Sequence, residues 1–427
     1  MKIKQRILVL AHAHPDFSLG GGEIAAYNLF EAYRDSDCVD EAWFLGRADR
    51  GRGVTGAISM RRPGEYLWEQ GIGDWHLMKA QHQESLTTWF ADLIRALRPT
   101  VVHAHHYMHL GLEFLHVIKR IDPTIRIFMT LHEYMAICRN NGQMIKTDGK
   151  RLCSRATADE CRQCFPQYTA EDFWLRKHFF MKHFDLVDGF ISPSEFLRQR
   201  YIEWGIDAAR IAVIENGQND ARPLPPRPLR EGEMRNRFGF FGQITPYKGL
   251  HVLLQGLSNL PKKQRRSLFL EVHGANLEHQ TAEYQEKIHE LRRPLMDEGV
   301  VEWVGPYEPY ELPQRMAAID WVTVPSTWWE NSPMVIQEAF VCGRPLLVSN
   351  IGGMLEKVKH DVDGFHVPVG SSSRWGQAML AAAGSSETWE RLRAGIAPPM
   401  VHRSSAAAHF QLINASWPQT PDPVEAA

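Results

Sequence analysis

Residues 326–340 read STWWENSPMVIQEAF, with two glutamates, Glu330 and Glu338, eight positions apart. On one continuous helix these would lie more than two turns apart and face different ways. Local signals divide the stretch instead. Ser332 is a good N-cap, and Pro333 suits the first helical position, where a missing N–H costs nothing. Val335, Ile336, Ala339 and Phe340 then recur at helical spacing, and Gly343 ends the run. Glu330 is therefore expected in a loop and Glu338 inside the helix that follows. The amides of Met334 and Val335 are left unpaired at the helix start and make an anion site. Carboxylates do not bind phosphates, so two of them flanking an anion site must meet another group. Sugar hydroxyls, which donate to a carboxylate, fit. A surface helix with a capping loop and two solvated acids is the plain alternative.

Outward from this stretch the chain alternates short β-branched runs with amphipathic ones. RILVLAH leads through a glycine loop into EIAAYNLFEAY, and TVVHAHH, IRIFMTLHEY and LVDGFISPS follow. From Asn219 to Arg230 the sequence NDARPLPPRPLR loses all period, after which RFGFFGQI, SLFLEVHG, VVEWVG, WVTVPS and PLLVSN restart the rhythm. The pattern predicts an α/β protein with two parallel-sheet domains, residues 1–218 and 236–400. A semi-rigid proline-rich linker, 219–235, would join them and leave a cleft between. Residues 401–427 form a return segment, with disorder expected from about Pro418. Ligands of open parallel sheets bind beyond the carboxyl ends of the strands, which is where the polar residues of interest fall.

After the first strand, SLGGGE carries Gly20, Gly21 and Gly22, which let a ligand approach the backbone closely. The spacing is not the G-x-G-x-x-G of a dinucleotide fold. His103, His105 and His106 cluster at the end of TVVHAHH; the first two share a face, which permits a metal pair or a polar lining. His132 leaves its strand in IRIFMTLHEY. Lys248, in FGQITPYKG, follows a strand where an ammonium can offset phosphate charge, or is simply solvated. Two Asp-x-Asp triplets, at 35–37 and 361–363, do not follow strands in a way that would hold a divalent metal.

The 427 residues carry a formal charge of −2, which does not advertise a nucleic-acid partner. The sequence contains no apolar run of membrane-spanning length. MKIKQRILVLAHAHPD starts like a signal peptide, but its apolar part is too short, so it reads as a buried strand of a cytoplasmic protein. Cys138, Cys153, Cys161 and Cys164 fall in an excursion at about 138–168. A reducing compartment disfavours disulfides, leaving a structural zinc or free thiols. FWLRKHFFMKHFDLV interleaves aromatics with Arg176, Lys177 and Lys182, as either a peripheral membrane face or a partly buried helix with solvated bases.

Taken together, Glu330, Glu338 and Lys248 make the chain resemble glycosyltransferase family 4, the group 1 glycosyl transferases of GT-B fold. The E-x7-E segment, then EAFVCGRPLLVSNIGG and DGFHVPVG, carry the likeness most specifically. GGGE, the T-x-H step ending in His132, ISPSEF and ENG support it in the first half. The resemblance implies two Rossmann-like domains facing each other across a cleft. It implies retaining, metal-independent sugar transfer from a nucleotide diphosphate donor to a glycan or lipid-linked acceptor, in cell-surface polysaccharide synthesis. By position, it implies that Glu338 accepts from the ribose diol and Glu330 from donor-sugar hydroxyls. Asn331, Ser332, Pro333, Met334 and Val335 would line sugar and phosphates. Lys248 would neutralise the leaving diphosphate, Gly20 and Gly21 would pass close to it, and His132 would touch the sugar. Front-face attack, with the leaving phosphate taking the acceptor proton, is the implied route to retention. One position departs: Gln243 stands where the family commonly has arginine, removing a cation from the expected clamp. The same fold also admits a sugar phosphorylase, a nucleotide-sugar epimerase or a non-catalytic binding protein.

Overall fold

The run QRILVLA forms strand β1 (Gln5–Ala11), fully buried from Ile7 onward, as a central parallel strand covered on both faces must be. The computed structural model describes residues 4–18, 20–48, 53–147, 151–220 and 223–415. The tail expected to be disordered lies outside them.

The chain divides into two units. The first runs to Gly217 and resumes at Met400; the second is Gln218–Pro399. In unit 1, β1 is followed by β2 (Val39–Arg47), β3 (Ile58–Arg62), β4 (Glu65–Trp68) and a small hairpin, β5 (Ile72–Asp74) with β6 (Lys79–Ala80). Then come β7 (Val101–Ala104), β8 (Arg126–Thr130), β9 (Gly189–Ser192) and β10 (Ile211–Val213). The main sheet has the order β10-β9-β8-β7-β1-β2-β4-β3, with only β3 antiparallel. Ile413, on the His402–Asn414 helix of the return segment, packs into the same core as Ile7, Phe30 and Phe128.

Unit 2 contains β11 (Arg237–Gln243), β12 (Phe269–Ala275), β13 (Val301–Trp303), β14 (Trp321–Val324), β15 (Leu346–Ser349) and β16 (Gly364–Val367). All pair in parallel in the order β13-β12-β11-β14-β15-β16, the doubly wound arrangement. Leu253, Leu270, Trp321, Trp375 and Trp389 fill its core.

The proline-rich stretch, expected as a semi-rigid linker, is fastened to unit 2 through its carbonyls. Arg344, fully buried, donates to Leu224 O at 3.3 Å and Pro225 O at 2.9 Å, and Arg227 donates to Asp320 at 3.0 Å. In the Ala170–Phe184 helix, Arg176 is not solvated. It is buried against the Phe180 ring and donates to the carbonyls of Ala136 and Met135, while Lys177 and Lys182 stay exposed. Among the described residues no helix is long and apolar enough to cross a membrane.

Asp320 ties the start of unit 2 together. Fully buried, it accepts from Arg227 at 3.0 Å, Arg235 at 3.2 Å and the Arg237 amide at 3.1 Å. Asp320→Ala removes the buried carboxylate shared by two guanidiniums, leaving Arg227 with Glu233 and Arg235 with Glu390, and should cost about 3–5 kcal/mol. Urea unfolding followed by tryptophan fluorescence measures the loss; an unchanged midpoint contradicts the assignment.

Candidate active site

In unit 2 the strand order reverses between β11 and β14, the kind of point beyond which open parallel sheets bind ligands. Lys248 ends the short turn after β11, and Ser326 and Glu330 follow β14. Gly249 makes the approach possible: its φ is +75°, and an added Cβ would stand 1.9 Å from Pro325 O. The two loops are further tied by Thr327 N–H to Tyr247 O at 2.8 Å. Lys248 Nζ thereby reaches Glu330 Oε1 at 2.6 Å, and the Ser326 hydroxyl donates to the same oxygen at 2.8 Å.

Glu330 is 6% exposed. Burial pushes its carboxyl upward, but the Lys248 charge and bond, with the Trp328 and Ser326 side chains, outweigh this and hold it below the usual carboxylate range. Both bonds converge on Oε1, leaving Oε2 outside the pair. The loop is braced from behind by Gly353, whose amide donates to Glu330 O at 2.7 Å and where a Cβ would meet Asn331 O at 1.6 Å.

The helix after this loop is Met334–Val341, and its start differs from expectation. Pro333 has an extended ψ of 117° and is the cap residue, so Ser332 lies one position too early to cap. Its buried hydroxyl has no partner among the described residues. The first amide bonded back is that of Ile336, to Pro333 O at 3.1 Å, so the Met334 and Val335 amides precede the ladder as expected. Gly343 ends the helix in the left-handed region, φ +66°. Glu330 is in the loop and Glu338 within the helix. Glu338 is half-buried, and loss of hydration pushes its carboxyl up to about 7. Its charge is felt by Tyr307. Next to Tyr307, Pro306 joins Ile244, Gly274, Ala275, Arg292 and Trp303 in lining a cavity of about 350 Å³ beyond β11, β12 and β13. Gln243 is exposed at the end of β11.

In unit 1 the order reverses between β1 and β7, and four histidines leave the sheet at its carboxyl edge: His12 after β1, His105 and His106 after β7, His132 after β8. Gly20 caps the Gly21–Arg34 helix, where the Glu23 carboxylate folds back so closely that a Cβ on Gly20 would meet it at 2.4 Å. Burial raises the Glu23 carboxyl, but His12 Nε2 at 3.3 Å and the Ser18 hydroxyl at 2.6 Å bring it down to about 2. His105 Nδ1 lies 3.0 Å from His132 Nε2. Burial pushes His132 down to about 4 and His105 and His106 well below their ordinary range, so these rings are neutral near pH 7.

The metal readings are not supported. His103 sits between the hydroxyls of Tyr33 at 3.2 Å and Thr130 at 2.8 Å, and His105 faces His132, so the two do not form a metal pair. Cys138, Cys153, Cys161 and Cys164 form no disulfide with one another among the described residues. Among the described residues, no group of three or more metal-ligating side chains is placed to hold an ion.

Sequence reasoning missed Ser326, the Tyr307 and cavity wall, the Glu23–His12 pair and the His105–His132 pair. The strand-end logic that selects Lys248 would also have selected Ser326; the others depend on contacts between distant segments.

Two family descriptions match in succession: Glycosyltransferase Family 4 over residues 75–222 and Glycosyl transferases group 1 over 223–394. The chain is 31% identical over 197 residues to a D-inositol 3-phosphate glycosyltransferase of Jonesia denitrificans, covering 45% of this chain and 44% of that one. It is 30% identical over 194 residues to the lipopolysaccharide 1,2-N-acetylglucosaminetransferase of Salmonella typhimurium, covering 43% and 50%. The match thus spans about half the length of these relatives. Its fold is similar to that of Anabaena HepE, solved with UDP and glucose, at a TM-score of 0.64 and 18% identity over 96% of this chain and 100% of that one. The chain belongs to glycosyltransferase family 4, the group 1 glycosyl transferases, and has the GT-B fold.

Proposed function

We propose that this protein transfers a sugar from a nucleotide diphosphate donor to a hydroxyl of a glycan or lipid-linked acceptor, with retention and without a metal. The observation that carries the reading is the Lys248–Glu330 pair at the β11/β14 reversal, beside the start of the Met334–Val341 helix. The lipopolysaccharide relative favours a role in cell-surface glycan synthesis.

In this reading each group has one task. Glu338 accepts from the ribose hydroxyls, and the nucleobase enters the cavity lined by Trp303 and Pro306. Glu330 accepts from sugar hydroxyls through Oε2. Lys248 stays anchored to Oε1 by one N–H and has two more for the diphosphate, joined by the Met334 and Val335 amides. When the bond from the anomeric carbon to phosphate breaks, the electron pair leaves with the diphosphate. The cation and the helix dipole stabilise that charge. The acceptor oxygen bonds to the anomeric carbon, and its proton passes to the departing phosphate. His132, neutral, contacts the sugar as a hydrogen-bonding group and not as an acid. Gln243 adds no charge, so Lys248 and the helix start carry the stabilisation.

Lys248→Ala should lower turnover about 10²–10³-fold in a donor-saturated assay. Near-normal turnover with intact donor binding contradicts the assignment. Thermal shift with UDP, GDP, ADP and dTDP and their sugars identifies the donor. Glu338 accepts hydroxyls best when ionised, and its carboxyl is raised to about 7, so it is neutral below that pH. Affinity for the stabilising nucleotide should therefore weaken as pH falls through about 7, and Glu338→Gln should flatten the dependence, both read by calorimetry. A profile identical in wild type and variant contradicts the ribose assignment.

A further inference from the structure

We propose that His105 is a positioning residue for His132: its Nδ1 fixes the ring plane and tautomer of His132, while a water in the cavity beside His409 holds its other nitrogen. The inference rests on the reading of His132 as the sugar contact.

Three observations converge. His105 is 3% exposed, with Nδ1 facing His132 Nε2 at 3.0 Å. Its Nε2 is buried and has no partner among the described residues, a costly state unless something fills it. A cavity of about 10 Å³ adjoins His105, lined also by Asn216, His402, Ser405 and His409, which is polar and has room for one water.

The hydrogen-bond logic runs through the rings. His409 Nδ1 faces Ser405 O at 2.8 Å; a carbonyl only accepts, so Nδ1 carries the proton and Nε2 of the neutral ring is an acceptor. Burial keeps His105, His132 and His409 neutral, so each ring has one N–H. Whichever of His105 and His132 donates in their shared bond, the other must accept, and that choice sets whether His132 Nδ1 donates or accepts. A water engaged by His105 Nε2 is coupled to that choice: where it donates, His105 Nδ1 carries the proton and His132 Nδ1 donates, and where it accepts, the reverse holds. Because His409 lies on the His402–Asn414 helix, the return segment of the chain then supports the site from behind.

Ring-nitrogen NMR on histidine-labelled full-length protein tests the pairing without any ligand. Wild type should show His132 in one tautomer, His105→Leu should give averaged shifts, and His105→Asn, which keeps a polar group near the Nδ1 position, should restore one form. Unchanged His132 shifts in His105→Leu, with wild-type melting, overturn the proposal. Turnover of the nucleotide sugar that most stabilises the protein tests the consequence. His105→Leu should lower kcat about tenfold with the donor KM nearly unchanged, since small misplacements of a site group cost up to about 10²-fold. His105→Asn should recover most of it, and His105→Leu should add nothing in a His132→Ala background. An equal loss in that background means a general structural role and overturns positioning. If the shifts respond but His132→Ala turns over normally, the sugar reading of His132 has failed and the positioning role falls with it, while the pairing stands.

Discussion

The ion pair between Lys248 and Glu330 organises unit 2. Its partners are 82 positions apart and meet because β11 and β14 are neighbours at the point where the sheet order reverses. Taking the Glu330 carboxylate almost out of water is costly, and one ammonium and one hydroxyl repay part of that cost through short bonds to a single oxygen. The result is a carboxylate that stays ionised while buried, with one oxygen outside the pair. A charge held ready in a site of reduced hydration acts on a polar ligand more strongly than the same charge in water. The glycine beside the lysine and the glycine behind the glutamate serve the same contact, since a side chain at either would push the loops apart.

The two glutamates of the segment are treated differently by their surroundings. Glu330 has a cation at bonding distance and is held low; Glu338 is raised by burial alone. Two acids eight residues apart thus differ in charge near neutral pH, which suits one to a permanent hydrogen-bond acceptor and the other to an acceptor whose affinity follows pH. Unit 1 uses burial in the opposite sense. His105, His106 and His132 are kept neutral, and at its glycine turn the Glu23 carboxyl is brought low by His12 and Ser18.

Much of this was legible in the sequence because it is local. The division of STWWENSPMVIQEAF into loop and helix follows from Pro333, the apolar spacing and Gly343, and the structure departs only by one residue at the cap. The alternation of strands and helices and the position of Lys248 after β11 are likewise properties of short windows. What was not legible depends on packing between distant segments. Nothing near Arg176 announces that its guanidinium meets the carbonyls of 135 and 136, and nothing near Leu224 announces Arg344. The His105–His132 pair needs β7 and β8 side by side before it exists.

The central claim is that the Glu330 loop and the helix start after it receive a sugar diphosphate. A crystal structure with a non-hydrolysable analogue of the stabilising nucleotide sugar tests this most directly. The account predicts sugar hydroxyls bonded to Glu330, diphosphate oxygens within bonding distance of the Met334 and Val335 amides and of Lys248, and the ribose on Glu338. A diphosphate bound away from that helix start, with both glutamates out of contact with the ligand, would contradict it.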